Sequence, residues 1–295
     1  MHSMRIDNKI AGQGFKVYTL CHGNYIFGLR FTSKPSKIDG LNQTLLKHTG
    51  LPKTSAVCVQ LMEQLQGTEY VCYLDNYFTR VPLLLELRKR GYGACGTSKK
   101  GSGIQYDLVT LRELSKKQNE WGIKSLTTVE DKVLCISWQD NNTVLFMSTA
   151  HTVEQAEWSV FKDLNCRKGI PDESGVWIDE KETEKGLLFP VPINDYNTHM
   201  GGSDGNAQQR AMYTAEHHHD VRYWWPLFRF LVDASIVNAF ILYRLEHPNP
   251  KQRLTHHQFR RHIALALLRN PLGQRRKRPY DFGCNNPSIH PWTRA

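Results

Sequence analysis

A short apolar segment of this chain ends abruptly at an acid. The segment is Tyr70-Val-Cys-Tyr-Leu74, and Asp75 follows it directly. A continuous apolar run of this length predicts a strand that is buried on both faces. Pro82 suits the first turn of a helix that stops at Gly91, and residues 92–97 are the next candidate strand. This order of strand, helix and strand indicates an α/β fold.

The neighbouring segments extend this pattern to a larger sheet. Residues 15–31 predict two short strands joined by a turn at Gly23-Asn24, and a helix is expected from about Thr54 to Leu65. Residues 133–148 predict a hairpin that turns at the polar Asp140-Asn-Asn142. The alternation predicts the α/β class, with a mixed sheet and flanking helices.

Helices are expected in the C-terminal part of the chain. After a charged loop at 162–186, the apolar spacing predicts helices at about 197–213, 223–245 and 255–268. The helix at 223–245 is apolar on most sides, which predicts a buried core helix. No uninterrupted apolar run approaches the roughly 20 residues of a membrane span, so no membrane partner is expected.

The positive charge of the chain is concentrated at one end. The formal net charge is +10, and residues 251–295 hold ten lysines and arginines but one acid, Asp281. The cluster Arg275-Arg276-Lys277-Arg278 is typical of a nuclear-localisation or phosphate-contact segment, although a solvated basic tail without a specific role is the alternative. The seven cysteines form no CxxC pair, which argues against a disulfide scaffold and a structural zinc site. A cytosolic or nuclear protein with reduced thiols is therefore expected, and the excess of positive charge suggests a polyanionic partner.

Two aspartates stand out among dispersed acids. Asp75 follows the apolar strand, where ligand groups usually lie in an open α/β sheet, and Asp204 follows Gly201-Gly202. Converging carboxylates that bind Mg²⁺ are a standard arrangement for phosphoryl transfer. The alternatives are an anion that interacts with a helix dipole for Asp75 and a helix cap for Asp204.

Four segments in order carry a resemblance to a known family. They are Tyr73-Leu-Asp-Asn-Tyr-Phe-Thr-Arg-Val-Pro-Leu83, Gly91-Tyr-Gly-Ala-Cys-Gly-Thr97, Asn194-Asp-Tyr-Asn-Thr-His-Met-Gly-Gly-Ser-Asp204 and a segment from Trp225 to Phe240. Together with the opening Met4–Lys16, their order and spacing resemble the piggyBac-type transposases over about residues 4–250.

The resemblance implies a DDE transposase core on an RNase H-like fold. In such enzymes three aspartates bind two Mg²⁺ ions, which activate water and then a 3′-hydroxyl to cut and rejoin DNA, typically at TTAA. Asp75 matches the second aspartate and Asp204 the third. DNA is the implied partner, the nucleus the implied location, and a homodimer is allowed.

The same resemblance implies a division of the chain. Residues 1–100 would form the first part of the RNase H-like core, interrupted by a mainly β insertion at 101–189. Residues 190–215 would complete the core with the third acid. A helical region at 216–270 and a basic, flexible tail at 271–295 would follow.

The position of the first aspartate departs from the family pattern. In an ungapped match it falls on His22, and no acid lies between Asp7 and Asp39 to replace it. The ligand set would then be Asp75, Asp204 and His22. Mg²⁺ is the cofactor that the resemblance implies, and Mn²⁺ is the alternative, because Mg²⁺ prefers oxygen ligands whereas Mn²⁺ or Zn²⁺ tolerates an imidazole better. A further aspartate that often follows the third catalytic one is Ala207 here.

Three hypotheses follow from these observations. We expect a transposase-derived protein whose catalysis is impaired by the loss of the first acid. A DNA-binding protein without catalysis and a degenerate, truncated relic are the alternatives. We also expect no counterpart of the family's N-terminal DNA-binding region or of its Cys-rich zinc domain.

Overall fold

The computed structural model of the chain describes residues 3–5, 13–31, 50–114, 122–139, 142–165, 184–214 and 224–269. Within these ranges the strands are β1 (Ser3–Arg5), β2 (Gln13–Phe15), β3 (Val17–His22), β4 (Tyr25–Phe31), β5 (Val71–Leu74), β6 (Gly93–Ser98), β7 (Gly122–Val129), β8 (Val133–Gln139), β9 (Thr143–Ser148), β10 (Ser159–Asn165) and β11 (Glu184–Pro190). The α-helices are α1 (Lys53–Met62), α2 (Val81–Lys89), α3 (Tyr106–Leu114), α4 (Val153–Glu157), α5 (Val191–His199), α6 (Gly202–Met212), α7 (Trp225–Glu246) and α8 (His256–Arg269).

A five-stranded mixed sheet is central to the described part of the chain. Its strand order is β5-β6-β9-β8-β7, in which β5 and β6 are parallel and the remaining pairs are antiparallel. Helix α2 connects the two parallel strands, as such a crossover requires. The pairs β1–β2, β3–β4 and β10–β11 form separate two-stranded antiparallel sheets.

The sheet is covered on both faces, and its buried side chains divide between two apolar clusters. Strand β8 is buried at every position, and its residues alternate between the clusters, with Cys135 in one and Ile136 in the other. The first cluster includes Leu84 of α2 and Leu108 of α3, and the second includes Ile193 of α5. Double coverage explains why β8 begins with four consecutive apolar residues, Val133 to Ile136, instead of alternating apolar and polar ones.

Helix α7 is joined to the β3–β4 hairpin by a side-chain amide. Asn238 Oδ1 accepts a hydrogen bond from Ile26 N at 2.9 Å, and Asn238 Nδ2 donates to Ile26 O at 2.8 Å. The hairpin register shifts between Leu20 and Cys21, beside Ile26. The amide therefore satisfies a backbone donor and acceptor at the point where the strand pairing is irregular.

The structure confirms the mixed α/β class, the flanking helices and the helical C-terminal region. Both predicted hairpins are present, as β3–β4 and β8–β9. The prediction of a loop at 162–186 is wrong at its two ends, because these residues belong to the antiparallel strands β10 and β11. Residues 166–183 lie outside the described part of the chain. The boundaries predicted for the insertion stay a prediction, and its strands β7, β8 and β9 join β6 in one sheet.

Two further predictions are corrected. The strand before Asp75 is not buried on both faces: Val71 is 40% exposed while Cys72 and Leu74 are buried, because β5 lies at the edge of the sheet. The helix predicted at 197–213 is two helices, α5 and α6, which are separated at Met200-Gly201.

Helix α7 is also less buried than predicted. Leu227, Val237 and Phe240 are buried, whereas Phe228 and Leu231 are exposed. By length and by a mean hydropathy of 1.4, α7 is the one helix in the described residues that meets the criteria for a membrane span. One such helix is weak evidence, since a core helix of a soluble protein meets the same criteria.

The chain divides into two compact units, Met1–Leu242 and Tyr243–Ala295. In the second unit, Tyr243 stacks on His247 with ring centroids 4.3 Å apart, and the Tyr243 hydroxyl accepts a hydrogen bond from Leu254 N at 3.0 Å. Thr255 then caps α8 by accepting a hydrogen bond from Gln258 N at 3.3 Å.

Replacing Leu84 by alanine should destabilise the protein, because this side chain is fully buried between α2 and the sheet. We expect a loss of about 3 kcal/mol in the free energy of unfolding, from lost apolar burial and the cavity left behind. Urea unfolding followed by circular dichroism measures it. The matched control is Leu231→Ala on the exposed face of α7, and equal losses in the two variants would contradict the assigned core.

Candidate functional site

The β3–β4 hairpin places His22 at the carboxyl end of β3. Gly23 and Asn24 form the two-residue turn, and both have positive φ angles, 52° and 72°. Such angles are typical of type I′ turns, which match the twist of a hairpin and favour glycine and asparagine. His22 pairs with Tyr25 across the turn, and its side chain is exposed.

Asp75 lies directly after β5 and begins a tight turn into α2. Its carbonyl oxygen accepts hydrogen bonds from Phe78 N at 3.0 Å, from Thr79 N at 3.1 Å and from Thr79 Oγ1 at 2.9 Å. Its carboxylate Oδ1 accepts a hydrogen bond from Asn76 N at 2.6 Å. The backbone of the turn is therefore held firmly, while the Asp75 side chain is exposed to solvent.

Gly96 on β6 allows this turn to approach the sheet. A Cβ atom at this position would lie 2.2 Å from Leu74 O and 2.5 Å from Thr79 Oγ1. Any side chain would thus overlap the backbone that precedes Asp75. This close approach explains why position 96 is a glycine.

Asp204 lies in the first turn of α6, which packs against the hairpin that carries His22. Asn206 Nδ2 donates a hydrogen bond to Asn24 O at 2.7 Å, and the hydroxyls of Ser203 and Thr19 are 3.2 Å apart. A Cβ atom on Gly205 would lie 2.1 Å from Asn24 Oδ1. The residues on both sides of Asp204 therefore contact β3 and its turn, while Asp204 itself is exposed.

Helix α5, which directly precedes α6 in the chain, contacts the end of β5. The Tyr196 hydroxyl donates a hydrogen bond to Leu74 O at 3.2 Å, next to Asp75. Burial raises the pKa of Tyr196, and the negative charge of Asp75 raises it further. Helix α5 thus contacts the end of β5, and α6, which follows it in the chain, contacts the turn after His22.

The described residues do not show a complete metal site. Among them, no three His, Cys, Asp or Glu side chains come together in a way that could hold an ion. The predicted ligand set of Asp75, Asp204 and His22 stays a prediction. The basic cluster Arg275–Arg278 lies outside the residues that the structure describes.

A network around Asp195 was missed in the sequence. Tyr73 donates a hydrogen bond from its hydroxyl to Asp195 Oδ2 at 2.8 Å, and His151 Nε2 lies 3.2 Å from the same oxygen. His199 Nδ1 lies 3.0 Å from Asp195 Oδ1, and its ring stacks on Tyr73 at 5.0 Å. These residues line a cavity of about 540 Å³.

The hydrogen bonds of Ser148 determine the tautomer of His151. Ser148 Oγ accepts hydrogen bonds from Ala150 N at 3.0 Å and from His151 N at 3.2 Å, so its own proton is directed to His151 Nδ1 at 2.8 Å. His151 then donates from Nε2 to Asp195. Burial lowers the pKa of His151 and outweighs the Asp195 charge, which raises it. Burial also raises the pKa of Tyr73, as does its bond to Asp195.

A sequence profile of the family described as Transposase IS4 matches residues 3–240. The match covers most of the chain, so this protein belongs to that family. The matched range contains both Asp75 and Asp204.

Two human proteins are among the relatives. PiggyBac transposable element-derived protein 5 is 21% identical over 218 residues, which cover 72% of this chain and 37% of the relative. PiggyBac transposable element-derived protein 2 is 25% identical over 199 residues, which cover 68% of this chain and 30% of the relative. The chain thus spans about a third of the length of these curated relatives.

A solved structure shares the fold. It is the piggyBac transposase synaptic complex with hairpin DNA, with a TM-score of 0.64 and 16% identity. The similarity covers 90% of this chain and 48% of the solved one. With the family match and the two relatives, it shows that this chain is a piggyBac-like, transposase-derived protein with a DDE transposase domain.

The buried His151 should make stability depend on pH. Its pKa is lower in the folded protein than in the unfolded chain, so the unfolded state takes up the proton first as the pH falls. The free energy of unfolding should therefore decrease as the pH drops through about 6.5, the ordinary histidine value.

The variant His151→Gln tests this dependence, because glutamine keeps a donor for Asp195 but does not titrate. Urea midpoints measured between about pH 7.5 and 5.5, either side of the ordinary histidine pKa, should show a flatter slope in the variant than in the wild type. Equal slopes in the two proteins would contradict a role for His151.

Proposed function

We propose that this chain derives from an enzyme of metal-dependent DNA cleavage and strand transfer and that its own catalysis is impaired. The observation that carries the proposal is the residue at the end of β3. His22 occupies the position at which the resemblance places the first of three aspartates. The second and third positions keep their acids, Asp75 and Asp204.

The exchange of carboxylate for imidazole changes the metal chemistry. Mg²⁺ is a hard cation that takes oxygen ligands at about 2.1 Å in near-octahedral geometry. A neutral imidazole removes one negative charge from the ligand set, and a protonated imidazole adds repulsion. Mn²⁺ tolerates nitrogen ligands better, so Mn²⁺ is the ion that this set would still accept.

The chemistry of the donor set supports the proposed impairment. The set offers two carboxylates, Asp75 and Asp204, and the imidazole of His22, where the resemblance implies three carboxylates. This donor set does not fit a pair of Mg²⁺ ions. A reaction that depends on two such ions is therefore not assigned to this chain.

DNA is the proposed partner. The solved relative was determined with hairpin DNA, and the chain carries a net charge of +10. Basic side chains on α8, among them Arg260, Arg261 and Arg269, and the cluster at 275–278 supply phosphate contacts in this proposal. A TTAA target, a homodimer and a nuclear location follow from the resemblance and belong to the same proposal.

The domain organisation is proposed along the boundaries of the family. Residues 1–100 and 190–215 form the RNase H-like core, and 101–189 form the insertion. Support comes from the two helices that follow β11, the last strand of residues 101–189. Helix α5 contacts the end of β5 through Tyr196, and α6 contacts the turn after β3 through Asn206.

Calorimetric titration with Mg²⁺ and Mn²⁺ tests the metal proposal. The wild type should bind Mg²⁺ weakly or not at all, and His22→Asp should gain binding because it restores a third carboxylate. The control is His22→Asp combined with Asp75→Asn, which should lose the gain. Equal Mg²⁺ binding by the wild type and His22→Asp would show that position 22 does not limit the site.

Salt dependence of DNA binding separates a DNA-binding protein from an inert relic. The logarithm of the affinity for a duplex should fall linearly with the logarithm of the salt concentration, because phosphate contacts release counterions. Fluorescence anisotropy with a labelled duplex measures the slope. The absence of binding at about 50 mM salt, where phosphate contacts are strong, would favour the relic.

A further inference from the structure

Two lysines and two tyrosines form a patch beside the candidate acid Asp75. The patch consists of Lys16, Tyr18, Tyr77 and Lys99, and it is called the lysine–tyrosine patch below. Tyr77 lies two residues after Asp75, on the turn that leads into α2, and 41% of it is exposed. The turn after β5 therefore carries an exposed carboxylate and an exposed aromatic ring two residues apart.

The contacts within the patch bring positive charge to the Tyr77 ring. Lys16 Nζ donates a hydrogen bond to the Tyr77 hydroxyl at 2.9 Å and lies 4.1 Å from the centre of its ring. The same ammonium lies 4.9 Å from the Tyr18 ring. Lys99 Nζ lies 5.7 Å from the Tyr77 ring. These distances are typical of cation–π contacts.

The orientation of the Tyr77 ring is determined by residues beneath it. Phe78 meets Tyr77 edge-to-face at 5.1 Å and Tyr18 at 5.8 Å, and it packs against the first apolar cluster. The turn backbone is held by the Asp75 carbonyl through Phe78 N and Thr79 N. The exposed ring is therefore supported from below, so little conformational entropy would be lost when a ligand stacks on it.

This combination matches the chemistry of an unpaired nucleotide. Every base has a flat π surface that stacks on an aromatic side chain, and ammonium groups contact the phosphates beside it. In a duplex the base faces are stacked on one another, so a side chain cannot cover them unless the base leaves the helix. A single exposed ring next to lysines therefore fits a single strand better than a duplex.

We propose that the lysine–tyrosine patch binds an unpaired nucleotide of a DNA strand, with Tyr77 stacking on the base and Lys16 and Lys99 contacting phosphate. The inference rests on the proposed DNA binding and adds a substrate class to it, namely strands with unpaired bases. Because this contact needs no metal, it is independent of the loss of the first acid at His22.

The test compares oligothymidylate of twelve nucleotides with a blunt duplex by fluorescence anisotropy of the full chain. Tyr77→Ala should weaken binding of the single strand about tenfold, the size expected for one stacked base, and should change duplex binding less than twofold. Tyr77→Trp should keep the affinity and show quenching of the new indole. The matched control is Tyr106→Ala, at a tyrosine of α3 that is 70% exposed.

The outcomes separate this inference from the proposal on which it rests. Duplex binding together with single-strand binding that is insensitive to Tyr77→Ala would overturn the inference alone. No binding of either DNA by the wild type would overturn both. Polyglutamate that competes with the oligonucleotide in a Tyr77-dependent manner would overturn the assignment to nucleotides, because it would show a general anion or acidic-peptide surface. Thermal melting of each variant shows whether it is folded.

Discussion

The carboxyl end of β5 is held from two sides, and the candidate site depends on these contacts. From the sheet side, Gly96 allows β6 to run beside Leu74 without a side chain between them. From the other side, Tyr196 of α5 donates to the Leu74 carbonyl, and Tyr73 donates to Asp195. Because α5 leads directly into α6, the same contacts position the helix that carries Asp204.

The residues of the candidate site contribute little to the packing of the fold. His22, Asp75 and Asp204 are all exposed, whereas stability comes from the two apolar clusters on the faces of the sheet. A surface acid can therefore be replaced without a large loss of stability, since exposed substitutions away from special features usually change it by less than about 0.5 kcal/mol. This explains how a chain can retain the fold with a histidine at the position where the resemblance places an acid.

Local patterns in the sequence were sufficient to predict many of the helices, strands and turns. The hairpin turn at Gly23-Asn24, the strand before Asp75 and the helix that follows it all follow from turn chemistry, apolar runs and a well-placed proline. The break between α5 and α6 was not predicted, because Gly201 lies within an otherwise helical pattern. The exposed face of α7 was not predicted either, since apolar periodicity does not show which side a neighbour covers.

The network around Asp195 could not be found in the sequence. Asp195 and Tyr73 are 122 positions apart, and His151 comes from a third segment, so no local spacing connects them. The lysine–tyrosine patch could not be found in the sequence either. Its residues come from separate segments of the chain, which meet only when the protein is folded.

The sequence by itself determined most types of element and the identity of the residues at three of their ends, namely His22 at the end of β3, Asp75 after β5 and Asp204 in the first turn of α6. These are properties of short segments, which local propensity and motif spacing encode. The tertiary structure decided which faces are covered, which side chains meet and how the end of β5 is held. Those features depend on contacts between distant segments, whose free energy is gained only when the whole core assembles.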